Sequence, residues 1–227
     1  MRKVFYGFLG LFLLFPWVHA QESANDPHAG KYELVQPPQP TSDPNKVEVL
    51  EFFWYVCPHC YAFEKFLRSK SWLENKPDDV AFIHMPAVFE NDKWTPLAKA
   101  YYPADALGVL DKVHVPLFQA IHDQRKHINN KEAIGKIFVE KGVKKEDFDA
   151  TFDSFAVESK VNRAKDMTPR YGITGVPVVI VNGKYRLTSE KADGYENMLL
   201  ILNYLIEKER YIMKANQEMQ QDDKKNK

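Results

Sequence analysis

The order of apolar patterns along this 227-residue chain predicts an α/β protein interrupted by a helical insertion. Three observations carry that expectation. An almost unbroken apolar run, Val47 to Val56, gives way at Pro58 to helix periodicity. From about Thr95 to Lys165 the helix period dominates. Then "PVVIVNGKYRLT" returns to strand, and a long amphipathic stretch follows.

Each element has its own reason. Residues 21–45 are rich in Pro, Gln, Ser and Asp and read as a loose lead-in, with "YELV" as a short strand. Val47–Val56, interrupted only by Glu48 and Glu51, fits a strand buried on both faces. After Pro58, the apolar Tyr61, Phe63, Phe66 and Leu67 alternate with Glu64, Lys65 and Arg68 at helix spacing. "VAFIHM", Val80 to Met85, is a second strand, stopped by Pro86. Within the helical stretch, "KEAIGKIFVEKG" sets Ala133, Ile134, Ile137 and Phe138 on one face and ends at Gly142; "KKEDFDATFDSF" follows. Asn182-Gly183 between two apolar runs predicts a tight hairpin. "YENMLLILNYLIEKERYIM" predicts the last helix, and residues 214–227 are a polar, flexible tail. The expected division is 21–87 with 165–213 as one unit and 88–164 as a helical insertion.

Composition narrows the function. The chain is 44% apolar and 13% aromatic, enough for a sizeable core. It carries 31 basic and 31 acidic residues, and Arg2 and Lys3 fall in a leader without acids, so the remainder is net −2. A nucleic-acid partner is therefore not expected, since phosphate binding needs a basic field. The leader, "MRKVFYGFLGLFLLFPWVHA", has two bases, an apolar run and Val18-His19-Ala20, which reads as a signal peptide cleaved after Ala20. The other reading, an uncleaved anchor, suffers from a run short of the ~20 apolar residues a span needs.

Export gives the two cysteines of the chain, Cys57 and Cys60, a context in which disulfides persist. A bridge between them closes almost no loop, so stability is a poor reason to keep it. A buried strand delivers the chain to Cys57, and Pro58 suits the first helical position. Cys57 then sits at a helix mouth, where free N–H groups and the positive end of the dipole favour thiolate over thiol. His59 adds to this when its imidazole is near the sulfur. Cys60 is one turn on, within bonding reach. Whatever stabilises the Cys57 thiolate stabilises the reduced protein against the disulfide, so the disulfide gives its oxidising equivalents away. The alternatives are weaker. Cys57, His59 and Cys60 are too tightly spaced for zinc, which wants about four ligands. A c-type haem needs His where Tyr61 stands. An inert short-loop disulfide is the third alternative. No metal is expected.

"EFFWYVCPHCYAFE" resembles the active-site segment of DsbA-type thiol–disulfide oxidoreductases, members of the thioredoxin-fold superfamily. "GITGVPVVIVNGKY", Gly172 to Tyr185, resembles the loop that carries a cis-proline opposite that segment, and the intervening helical stretch, with "LGVLDKVHVPLF", is similar to the family's inserted domain. The resemblance implies a thioredoxin fold with an inserted helical domain. It implies catalysis by Cys57, Cys60, His59 and Pro58, with Val176 and Pro177 against the cysteines as a client-binding edge. It also implies a redox-active disulfide without bound cofactor, a periplasmic location and reoxidation by a DsbB-type quinone-linked membrane partner. Clients would be newly exported proteins with cysteine pairs, and the protein itself a monomer. Glu51 and Glu64 match the family's acidic positions, as proton-transfer or tuning groups; a solvent-reaching strand residue and a helix-surface acid are the other readings. His84 stands where some relatives carry lysine beside the buried acid; a core histidine is the alternative. Disulfide isomerase or reductase of the same fold, and peptide-binding chaperone, are the competing functions.

Overall fold

A computed structural model describes residues 26–89 and 95–225. The elements run β1 (Glu33–Leu34), β2 (Val47–Phe53), α1 (Pro58–Ser69), α2 (Trp72–Asn75), β3 (Val80–Pro86), α3 (Thr95–Lys99), α4 (Tyr101–Ala106), α5 (Leu110–His122), α6 (Lys131–Glu140), α7 (Lys145–Phe152), α8 (Phe155–Arg170), β4 (Val178–Val181), β5 (Tyr185–Leu187) and α9 (Tyr195–Lys225). The expected signal peptide, 1–20, lies outside the described residues.

The strands form one sheet in the order β1-β5-β4-β2-β3. Only the β2–β3 pair is parallel; β2–β4, β4–β5 and β1–β5 are antiparallel. All seven residues of β2 are buried, as its near-continuous apolar run requires of a strand covered on both sides. Val47 and Val49 pack with Val179, Val181, Phe63 and Leu67 and with Met198, Leu202 and Leu205 of α9. Leu50 and Phe52 belong to the other cluster, with Ile180 and with Val113, Leu117 and Phe118 of α5. Each fully buried side chain of this size contributes about 1.5–3 kcal/mol. One cluster thus joins the sheet to α1 and α9, and the other joins it to the helical insertion.

Three residues, 182–184, join β4 to β5; the tight turn at its centre has φ of 49° at Asn182 and 67° at Gly183, as Asn-Gly favours, and is closed by the Lys184 N–H donating to the Val181 carbonyl at 3.0 Å. Gly183 is required twice over, because a Cβ there would lie 2.0 Å from the carbonyl oxygen of Gln39.

Helices α3–α8 occupy the interval between β3 and β4. Asn130 caps α6 by accepting from the Ala133 N–H at 2.8 Å, and Ser154 caps α8 by accepting from Val157 at 3.3 Å. Where the chain leaves the sheet, the Val88 N–H donates to Thr168 Oγ1 at 3.1 Å, and the Thr168 hydroxyl donates to the Ala164 carbonyl at 2.7 Å. The outgoing and returning strands of chain are therefore clasped together.

Strand β2 ends at Phe53 rather than the expected Val56, and two helices run past the expected divisions. The boundary at residue 165 falls inside α8, which continues to Arg170. The tail expected from 214 is helical as far as Lys225. The apolar spacing stops near Met213, but no glycine or proline follows, and Lys, Ala, Gln, Glu and Met are all good helix formers. Among the described residues no helix is long and apolar enough to cross a membrane.

Candidate active site

The site starts where β2 ends. The chain turns through Trp54–Val56, and the Cys57 N–H donates to the Trp54 carbonyl at 3.0 Å. Cys57 is extended, φ −78° and ψ 117°, and stands at the cap of α1, with Pro58 in the first turn. Both cysteines are free thiols; Cys57 is half-buried and Cys60 fully buried.

The two sulfurs are driven apart electrostatically. Cys57 is lowered to about 6, first by a hydrogen bond from the Cys60 thiol; burial opposes this. The backbone N–H groups of Cys60 and His59 and the charge of His59 then add to the lowering. The helix mouth acts as expected, yet the largest contribution comes from the second cysteine. Cys60 is pushed far up, first by burial and then by its contact with Cys57 and the charges of Cys57 and Glu51. One sulfur is ready to be an anion near neutral pH and the other holds its proton.

The Val176–Pro177 loop faces this pair. The peptide bond between them is cis, and the Cys57 thiol donates to the Val176 carbonyl at 3.3 Å. A groove of about 750 Å³ runs beside it, lined by His59, Thr174, Gly175, Val176, Pro177 and Tyr195 among others. The Tyr195 hydroxyl donates to the His59 carbonyl at 2.9 Å, and its ring packs on Phe63 and Phe66 at 5.2 and 5.7 Å between centroids.

Beneath α1 lies a second, buried constellation. The β2–β3 register sets Glu51 directly opposite His84, whose Nε2 is 3.3 Å from Glu51 Oε2. Glu64, one turn past Cys60, points inward and brings its Oε2 to 3.5 Å from the same nitrogen. Its other oxygen accepts from Arg68 Nε at 2.6 Å. His114, on α5, places Nε2 4.0 Å from Glu64 Oε2, while its Nδ1 lies 2.8 Å from the Tyr55 hydroxyl. Burial pushes Glu51 up to about 8 against the pull of His84. Burial also opposes ionisation of Glu64, but His84, His114 and Arg68 outweigh it and hold the carboxyl at about 2. His84 is raised, because Glu64 and Glu51 more than offset its burial. His114 falls to about 3, through burial and then the positive charge of His84.

The structure therefore brings together Cys57, Pro58, His59, Cys60, Val176 and Pro177, and separately Glu51, Glu64 and His84. Glu64 is 1% exposed, so the helix-surface reading of it is wrong: its place at i+4 from Cys60 puts it on the inner face of α1. Glu51, also 1% exposed, does not reach solvent. Sequence reasoning assigned no role to His114 or His122, and missed Tyr195. His114 lies beside Val113, Leu117 and Phe118 on the apolar face of α5, a signal that it is buried but not what it meets. His122 lies 2.8 Å from the Tyr55 carbonyl through Nε2 and stacks on Tyr61.

A C-x-x-C pair at a helix mouth on a thioredoxin-like sheet, faced by a Val-Pro loop, defines a thiol–disulfide oxidoreductase. The family model described as a DSBA-like thioredoxin domain matches residues 48–205, and the chain belongs to that family. The thiol:disulfide interchange protein DsbA of Pseudomonas aeruginosa is 42% identical over 188 residues, covering 82% of this chain and 88% of that protein. Its crystal structure matches with a TM-score of 0.76 at 40% identity, over 82% of this chain and 95% of that one. A DsbA of Proteus mirabilis, solved with a non-covalently bound peptide, PWATCDS, matches with a TM-score of 0.67 at 28% identity, over 81% of this chain and 99% of that one. The fold is the thioredoxin-like DsbA fold with its inserted helices, and the enzyme is a thiol–disulfide oxidoreductase.

Proposed function

We propose that this oxidoreductase works as an exported, periplasmic oxidase that places disulfides into other proteins. The observation that carries the reading is the contrast between Cys57, lowered to about 6, and Cys60, held protonated. A client thiolate attacks Cys57 Sγ of the bridged enzyme. The Cys57–Cys60 bond breaks, and the Cys60 sulfur leaves and takes up a proton. A second client thiolate then attacks the client sulfur of the mixed disulfide, and Cys57 leaves as a stabilised thiolate. The client loses two electrons and the enzyme gains them. The buried Glu51 carboxyl, whose charge is felt at Cys60, handles the proton, with Glu64 and His84 as its tuning neighbours.

The thioredoxin-like part, 21–87 and 165–213, carries the chemistry, and the inserted part, 88–164, backs it. The groove beside Val176 and Pro177 receives an extended cysteine-containing segment; the peptide held by the Proteus relative supports this. No bound cofactor is needed. A DsbB-type quinone-linked membrane partner removes the electrons, and the enzyme acts as a monomer.

Equilibration of the purified protein with glutathione buffers, alongside its redox state in cells, tests the reading. An oxidase is more oxidising than the glutathione couple and is mostly bridged in cells. A protein kept mostly dithiol would instead be an isomerase or reductase, and full client protection after loss of both cysteines would mark a chaperone.

A further inference from the structure

Three polar atoms beneath α1 converge without hydrogen-bond partners, Glu64 Oε2, His84 Nε2 and His114 Nε2, and a fourth, Glu51 Oε2, lies beside His84 Nε2. Each is buried, and each comes from a different element: β2, α1, β3 and α5. An unpartnered buried polar atom costs about 1–3 kcal/mol, so their proximity asks for an occupant. The atoms of Glu64, His84 and His114 all lie within 4.8 Å of one another. Within this group His84 lies 3.5 Å and His114 4.0 Å from Glu64 Oε2, near the ~3.3 Å between ligand atoms set tetrahedrally at about 2.0 Å from a Zn²⁺ ion.

We propose that Glu64, His84 and His114, with Glu51 beside His84, form a binding site for a divalent transition-metal ion of the zinc class, against the sequence expectation that the protein holds no metal. Imidazole and carboxylate are ligands for such ions. Two carboxylates balance the double charge, as a buried site demands. The outer contacts fit as well. The Tyr55 hydroxyl lies 2.8 Å from His114 Nδ1, placed to accept that ring N–H once Nε2 ligates. Arg68 fixes Glu64 through Oε1 and leaves Oε2 aimed inward. Phe53 packs edge-on against both imidazoles, at 5.8 and 5.1 Å between centroids, and orients them. A bound ion would cross-link the sheet, the redox helix and the inserted helices. The site includes neither cysteine, though it shares Glu51, Glu64 and His84 with the proton path proposed above, and its reading does not depend on the direction of disulfide exchange.

The test uses the full chain with Cys57 and Cys60 bridged, so that no thiolate competes. Zn²⁺ and Co²⁺ are titrated as chloride salts after treatment with a chelator. The proposal expects one equivalent bound, visible Co²⁺ bands of a tetrahedral site without sulfur charge transfer, and a raised melting temperature. His114→Gln and Glu64→Gln abolish the bands. Tyr55→Phe weakens binding by ~10–100-fold, as loss of a group orienting a ligand does. X-ray absorption at the zinc edge of the unaltered protein needs no variant and shows nitrogen and oxygen neighbours with imidazole scattering. Absence of binding by the bridged protein, sulfur in the first shell, or undiminished binding by folded His114→Gln would overturn the proposal.

Discussion

The hydroxyl of Tyr195 donates to the backbone carbonyl of His59 at 2.9 Å, joining the first turn of α9 to the first turn of the redox helix across 136 residues of sequence. The ring beneath it rests on Phe63 and Phe66. Tyr195→Phe keeps the ring and removes only an exposed hydrogen bond, so it costs about 0.5 kcal/mol, the low end of such bonds. Tyr195→Ala also loses the aromatic contact and costs several times more. Urea unfolding of the two variants checks the ordering; equal losses would mean that the hydroxyl carries the whole contact.

The lowered Cys57 makes stability depend on pH with a definite sign. The group falls from 9.0 to about 6, so its contribution is fully present above pH 9 and is lost as pH drops through 6. At pH 7 it is worth about 1 kcal/mol to the reduced form, allowing for partial exposure. The bridged form has no such group. The stability gap between reduced and bridged protein therefore widens from pH 6 to 9 and is flat below 6. Denaturant curves of both forms across that range decide it.

The sources of that lowering can be ranked. The Cys60 thiol is the largest and the His59 charge the smallest of the five named influences. Cys60→Ala therefore raises the Cys57 midpoint more than His59→Ser does, measured by thiolate absorbance or alkylation rate. The reverse order would return the leading role to the imidazole.

Cys60 is fully buried and Cys57 is not, so attack on a mixed disulfide is divided unequally between them. Cys60→Ser, mixed with an oxidised client peptide, accumulates a covalent adduct at Cys57 that Cys57→Ser never forms. Mass spectrometry after acid quenching reads this directly.

A helical glycine ordinarily gains about 1 kcal/mol on becoming alanine. Gly135 of α6 is an exception, because a Cβ would lie 2.8 Å from Cε1 of Phe148 on α7. Gly135→Ala is expected to destabilise by about 1–3 kcal/mol through overpacking. Adding Phe148→Leu restores part of the loss, and thermal unfolding of the single and double variants measures it.

What could be read in advance follows from the range over which each signal acts. The apolar run of β2, Pro58 after Cys57 and the Asn182-Gly183 turn are local; each stands where the pattern puts it, except that the strand ends at Phe53 and not at Val56. Helices α8 and α9 run on past residues 165 and 214, where helix propensity outlasts the apolar stripe. Glu51 and His84 became neighbours only through the parallel register of two strands, and His114 reached them from an inserted helix. Tyr195 meets His59 through the packing of α9. Spacing along a chain encodes none of these meetings.

The clasp between Val88 and Thr168 has a bearing on how such a molecule is assembled. The polypeptide departs from the sheet and comes back at nearly one point, so one hydrogen-bonded post closes the loop of inserted helices. That loop is also locked to the wall of the redox centre by α5, whose His114 and Phe118 meet Phe53, Tyr55 and Tyr61. A chimera that exchanges the cassette must therefore keep this face of α5.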